Sequence, residues 1–246
     1  MRELDKYAEH YVNHPGFETQ LVSFRRRKVL EILAGLPHAR ILEIGCGTDS
    51  LFNHLTDFES FVVVEPIESF VETALGHAQG DPRISVLHGF LESQSEHLRS
   101  HTFDLVIASS VLHEVEDPSL FLKNLNSVCS KQTTAHLNVP NALSLHRLLA
   151  VEMGLIEDPF TPSDLARTFQ RISNFDLSSL KELVHSCHFT VLSDGSYFLK
   201  PFSNRQMLQL VDHEIVPENF LDALYTVVEN RLPELGAEIF VNVRKN

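Results

Sequence analysis

Cysteine is scarce in this 246-residue chain, and Cys46, Cys129 and Cys187 are too widely spaced for a zinc ligand set and odd in number for a disulfide framework. A reducing compartment fits that usage. No uninterrupted apolar run approaches the roughly 20 residues that a bilayer-spanning helix needs, and the opening Met1-Arg2-Glu3-Leu4-Asp5-Lys6-Tyr7 lacks the apolar core of a signal peptide. The expectation is a soluble, cytoplasmic protein with no membrane partner. Positive charge is short as well: 20 Lys and Arg stand against 33 Asp and Glu, and the formal net charge of −13 would repel a polyanion. Nucleic acid is therefore a poor partner. The one basic cluster, Arg25-Arg26-Arg27-Lys28, lies among Leu21, Val22, Phe24, Val29, Leu30, Ile32 and Leu33, which reads as the solvated face of an amphipathic helix. No His, Cys, Asp and Glu set has metal-ligand spacing; His113 and Glu114 are adjacent, so their side chains are not expected to share a helix face. Repeats, low-complexity tracts and linkers are missing too, which points to a single domain over 1–246.

Against these absences stand short β-branched runs, each followed by a turn and a helical pattern. Ala39-Arg40-Ile41-Leu42-Glu43-Ile44 ends in Gly45-Cys46-Gly47; Ser60-Phe61-Val62-Val63-Val64-Glu65 ends in Pro66; Phe103-Asp104-Leu105-Val106-Ile107-Ala108 follows later. Such runs lack clean polar alternation and read as strands buried on both faces of a parallel sheet. Ile84-Ser85-Val86-Leu87 and Thr134-Ala135-His136-Leu137-Asn138-Val139 continue the alternation, and right-handed crossovers then make a doubly wound α/β sheet the expected fold. Residues 1–36 look helical and exceed what the sheet requires. The segment 143–176, broken by Asp158-Pro159 and Thr161-Pro162, is too long for a simple connection and reads as an insertion over the site. Beyond it, 177–246 holds a run from Phe189 to Leu199, helices between Asn204 and Arg231, and an alternating run, Ala237 to Val243, suited to a closing strand.

The glycine turn Glu43-Ile44-Gly45-Cys46-Gly47 sits between a strand and a helical pattern, where an absent Cβ lets a ligand approach the backbone. Glu65, at the tip of the next strand, can accept both hydroxyls of a ribose. Glu43 distinguishes the ligands: a carboxylate beside the turn repels a dinucleotide's pyrophosphate and attracts the ammonium and sulfonium of S-adenosylmethionine.

At these residues the chain resembles the class I S-adenosylmethionine-dependent methyltransferases, whose first motif reads acid-x-Gly-x-Gly-x-Gly; Glu43, Gly45 and Gly47 match, and Asp49 replaces the third glycine. The resemblance covers roughly 39–139, and Asn138-Val139-Pro140-Asn141-Ala142 with Ser144-Leu145-His146-Arg147 is similar to a subset acting on small metabolites and on sugar or natural-product intermediates. It implies a mostly parallel seven-stranded Rossmann-like sheet, a helical lid over 1–36, a cofactor-binding core over 37–142 and a substrate-side insertion over 143–176. It also implies a cofactor site of Glu43, Gly45, Cys46, Gly47, Glu65, Pro66, Phe90, Leu91 and Ser109, with Glu92 near the adenine amino group. For the acceptor side it points to His113 as general base, since imidazole titrates near neutral pH, and to Tyr11, His14, His146 and Arg147 as substrate contacts. The aromatics Tyr7 and Tyr11 are expected to pack the lid on the body. The function so implied is methyl transfer to a small polar acceptor, with a hydroxyl of a sugar or natural-product metabolite in view. A binder that keeps the cofactor without catalysis is one alternative; a nicotinamide-dependent oxidoreductase, which Glu43 argues against, is another.

Overall fold

A computed structural model describes residues 4–13, 16–162 and 173–246, without the side chains of Asp5 and His10. Its centre is one seven-stranded sheet in the order β3-β2-β1-β4-β5-β7-β6. The strands are β1 (Arg40–Ile44), β2 (Ser60–Glu65), β3 (Ile84–His88), β4 (Leu105–Ser109), β5 (Thr134–Pro140), β6 (Phe189–Leu199) and β7 (Gly236–Lys245). The first five pair in parallel, and β7 enters antiparallel between β5 and β6. Both closing strands thus fall where the apolar runs at 189–199 and 237–243 place them.

Period-two alternation divides the core. Leu42, Ile44, Val62 and Val64 face one side, where α4 (Leu91–Leu98), α5 (Pro118–Val128) and α7 (Leu177–Ser186) cover them. Ile41, Phe61 and Val63 face the other, under α2 (Glu18–Leu33) and α3 (Glu68–Ala78). Glu43 and Glu65 share the parity of that second set, so each carboxylate emerges at the strand ends beneath α2 and α3 rather than in the opposite core. Chain order reverses between β1 and β4, the switch point where the carboxyl ends of such sheets open a crevice.

Ahead of β1 stand α1 (Leu4–Asn13) and α2, the segment expected to form a lid. The Tyr7 and Tyr11 rings stack 5.9 Å apart, and Tyr11 meets the edge of Phe70 on α3 at 5.8 Å, so these aromatics pack the N-terminal segment on the body. The basic cluster departs from the sequence expectation: Arg25 and Lys28 are buried. The C-terminal elements are the reason. β6 and α9 (Phe220–Arg231) pack over α2 through Phe24, Phe198 and Tyr225, and buried Arg25 pairs with Glu18 and with Glu238 of β7. Local periodicity cannot register cover supplied from two hundred residues away. α6 (Leu145–Glu152) opens the segment after β5, and α8 (Asn204–Asp212) precedes α9. Among the described residues no helix is long and apolar enough to cross a membrane.

Candidate functional site

At the switch point lies a cavity of about 590 Å³, within the roughly 300–1,000 Å³ range of small-molecule sites. The turn after β1 forms its floor. Gly45 and Gly47 take φ of +77° and +58°, a region that disfavours any side chain. A Cβ on Gly45 would stand 2.7 Å from Val111 Cγ2, and one on Gly47 would stand 3.7 Å from the Tyr11 hydroxyl. The absent side chains therefore hold open a cradle between turn, lid and the loop after β4.

Two carboxylates are built into its wall. Glu43 is buried, accepts a hydrogen bond from the Ser50 hydroxyl, and takes the Leu51 N–H at 3.1 Å. Glu65, 3% exposed, accepts from the N–H groups of Cys46 (3.0 Å), Gly47 (3.3 Å) and Ile67 (3.0 Å). These bonds pin the turn to the tip of β2 and orient both acids. Burial pushes the Glu43 carboxyl up to about 7 against the bonds from Ser50 and Leu51, and the Glu65 charge adds to the rise. Burial likewise raises Glu65 above the ordinary carboxylate range, against its backbone bonds. Among the described residues neither acid is ion-paired with Lys or Arg. A cradle open at the backbone, with two desolvated acids lacking a counter-cation, fits a ligand that combines hydroxyls with positive charge; S-adenosylmethionine is such a ligand.

The other cofactor residues expected from the sequence collect at the same cavity: Cys46, Pro66, Phe90, Leu91 and Ser109 all line it. Phe90 is 54% exposed, an apolar ring left for a flat partner. Ser109 exchanges hydrogen bonds with Asn138 (3.2 and 2.9 Å), which bonds His136 (3.0 Å), which bonds Asn242 (2.8 Å). This buried chain ties the end of β4 through β5 to β7. Next to it Ser110 holds φ +61°, a strained value for a residue with a side chain, and turns the loop across the cavity mouth. Asp49, in place of the third glycine, pairs with Arg26 of α2 at 2.6 Å and with His54 at 3.0 Å, so it fastens the turn to the lid.

The acceptor-side residues divide. Tyr11 lines the large cavity. His14 lies outside the described residues. His113, His146 and Arg147 come together, but around a second, smaller cavity of about 90 Å³. His113 is 2% exposed and does not line the large cavity, because the loop after β4 turns its ring inward beneath Glu114. Its Nε2 stands 3.6 Å from Glu114 Oε1, so adjacency in sequence does not separate the two groups here: the segment 110–117 is a loop, and helix geometry does not apply. Glu114 itself lines the large cavity and accepts a bond from the Tyr7 hydroxyl at 3.4 Å. Glu18 lines both cavities. Sequence reasoning missed Glu114, Ser50, Val111, Lys200 and Glu238. The first follows a residue that was singled out, whereas the last two reach the site only through the C-terminal strands.

Residues 17–194 match the model of a family described as methyltransferase domain, and the chain belongs to that family. Among curated proteins, fumosorinone synthetase of Cordyceps fumosorosea is 28% identical over 135 residues, covering 51% of this chain and 3% of the synthetase. The chain therefore corresponds to a small part of that relative. Among solved structures, one from Thermotoga maritima, described as an S-adenosylmethionine-dependent methyltransferase and possible histamine N-methyltransferase, superposes with a TM-score of 0.61. Its identity is 18%, with coverage of 100% of this chain and 97% of that one. The N-methyltransferase NodS of Bradyrhizobium japonicum, solved with S-adenosylhomocysteine, gives 0.57 at 12% identity, with 95% and 90% covered. Similarity at these identities speaks for the fold alone.

Proposed function

We propose that this chain methylates a small polar acceptor, a hydroxyl of a sugar or natural-product metabolite, without nucleic acid or membrane as partner. The carrying observation is the glycine cradle with its two buried acids, opening toward a wall that holds Tyr7 and Glu114, with His113 against Glu114 behind that wall. S-adenosylmethionine supplies a methyl group on a sulfonium, so the protein's tasks are alignment, water exclusion and disposal of the acceptor's proton. In this reading Glu65 accepts the ribose hydroxyls, the Gly45-Cys46-Gly47 backbone receives the methionine end, and Pro66, Phe90 and Leu91 flank the adenine with Ser109 below. Tyr7 and Tyr11 close the lid against water. Glu114 faces the cavity and takes the acceptor's proton, and His113 behind it orients and shares the charge.

Labelled-methyl transfer to panels of hydroxylated and amine metabolites tests this. Glu114→Gln should lower turnover by about 10²–10⁴-fold with S-adenosylhomocysteine affinity preserved, and His113→Ala should lower it less and shift the pH profile. Preserved turnover in both variants would remove the pair from the reaction, and cofactor binding with no transfer to any acceptor would favour the non-catalytic binder. A second reading is an amine acceptor. It is favoured by the acids Glu18, Glu114, Glu116 and Asp117, which line the large cavity against Arg25 and Arg26 as the cations among the described residues.

A further inference from the structure

The smaller cavity has a character that methyl transfer alone does not require. It lies at the carboxyl end of β5, walled by α6, by Lys200 just past β6, and by Glu238 of β7. Its charged walls are not equivalent. Both carboxylates there, Glu18 and Glu238, are bonded to Arg25, at 3.2 and 2.8 Å, on the side toward the large cavity. Arg147 donates its Nε and Nη2 protons to the carbonyls of Pro159 and Thr161, and among the described residues its Nη1 group makes no hydrogen bond. His146 engages Ser144 through Nδ1 at 3.0 Å and, among the described residues, has no hydrogen-bond partner at Nε2. When the Ser144 hydroxyl donates to Nδ1, the neutral ring carries its proton on Nε2, a second donor beside the guanidinium.

We propose that this cavity is the recognition subsite for a carboxylate at one end of the methyl acceptor, received by Arg147 Nη1 and His146 Nε2 with the Lys200 ammonium across from them. The inference rests on the methyl-transfer reading. At about 90 Å³ the cavity is far smaller than the first and takes one end of the acceptor, so the rest extends past Glu18, which borders both cavities. The electrostatics agree. Burial, then the charges of Lys200 and Arg147, hold the His146 imidazole far below its ordinary range, so the ring stays neutral in a positive field. Burial also depresses Arg147, more than the Asp158 carboxylate restores, and an incoming anion would favour its charged form further. A carboxylate accepts from both donors at once, which an ammonium or a hydrocarbon end does not.

The test uses the full chain saturated with S-adenosylhomocysteine, following the His146 ring resonances by NMR while sodium acetate is added at constant ionic strength. Acetamide, uncharged and of nearly the same shape, is the control. Acetate should move the His146 resonance saturably and acetamide should not, and Arg147→Gln should weaken the acetate response at least tenfold. Because Arg147 also holds the 159–161 carbonyls, Lys200→Gln is run beside it and should weaken acetate by a comparable factor while S-adenosylhomocysteine still binds. An unmoved resonance, or equal responses to acetate and acetamide, overturns the subsite with the methyl-transfer reading intact. Failure of the wild-type chain to bind S-adenosylhomocysteine would instead break the underlying reading.

Discussion

The two cavities lie side by side and share Glu18, yet they are assembled in different ways. The larger draws on Glu43 to Gly47, Glu65, and the loop after β4, each within a few residues of a strand end, so the sheet's own geometry positions them. The smaller gathers Glu18, His113, His146, Lys200 and Glu238 from five separate elements, and the ion pairs of Arg25 hold its wall together. A site hung on strand ends survives much change in the surrounding helices, whereas a site stitched from distant segments depends on each of its stitches. That contrast organises the expected responses.

The largest effect should come from the shared wall. Burial opposes the charge of Arg25, and Glu238 and Glu18 outweigh it, holding its pKa well above the ordinary value. Arg25→Met would remove the cation that two buried carboxylates share, a loss of about 3–5 kcal/mol of stability. Urea unfolding measures it; a loss below about 1 kcal/mol would mean that the wall stands without its ion pairs and would erase the contrast.

In the larger cavity the weak point is backbone geometry. Gly45→Ala meets both a left-handed φ and the Val111 methyl, whereas Gly80→Ala meets a similar φ of +75° with nothing within 4 Å. Strain of about 1–3 kcal/mol is common to both, and the clash is added only at Gly45. S-adenosylhomocysteine affinity should fall at least tenfold for Gly45→Ala and stay unchanged for Gly80→Ala. Equal affinities in the two variants would show that the cradle is not where the ligand lies.

A smaller and graded effect follows from Glu43. Its carboxyl, raised from an ordinary 4.5 to about 7 by burial, holds its proton more tightly in the folded chain than in the unfolded one. Its contribution to stability is therefore present below about 4.5 and is lost as pH rises through about 7. Cofactor binding runs the opposite way. The ionised carboxylate attracts the sulfonium, so S-adenosylmethionine affinity should rise between pH 6 and 8, by at most about tenfold per pH unit, and S-adenosylhomocysteine, with its neutral sulfur, should respond less. Calorimetry across that interval checks the difference; parallel curves would assign the response to the ammonium that both ligands carry.

How far the sequence reveals each cavity follows from the same contrast. Strand runs, the glycine turn and the paired acids are local patterns, so the sheet and the position of the turn and its two acids can be read from Arg40 to Asn138 directly. His113, His146 and Arg147 are also identifiable as a set, but not the cavity they share, since that depends on the turn of the loop after β4. Lys200 and Glu238 carry no motif; only the antiparallel insertion of β7 between β5 and β6 brings them to the site. The burial of Arg25 and Lys28 was hidden for the same reason. An amphipathic pattern shows which face of a helix is apolar, not whether a distant strand and helix will cover the charged one.

The central claim is that the acids and glycines after β1 and β2 form the S-adenosylmethionine site, and Glu65 tests it most directly because its carboxylate both pins the turn and faces the cavity. Titration calorimetry of S-adenosylhomocysteine against wild type and Glu65→Gln, with circular dichroism confirming the fold of each, is the measurement. Single-site binding to wild type and a loss of about 1.5–3 kcal/mol for each charge-assisted bond removed is the predicted result. Equal affinity for the two proteins, with both folded, would contradict it.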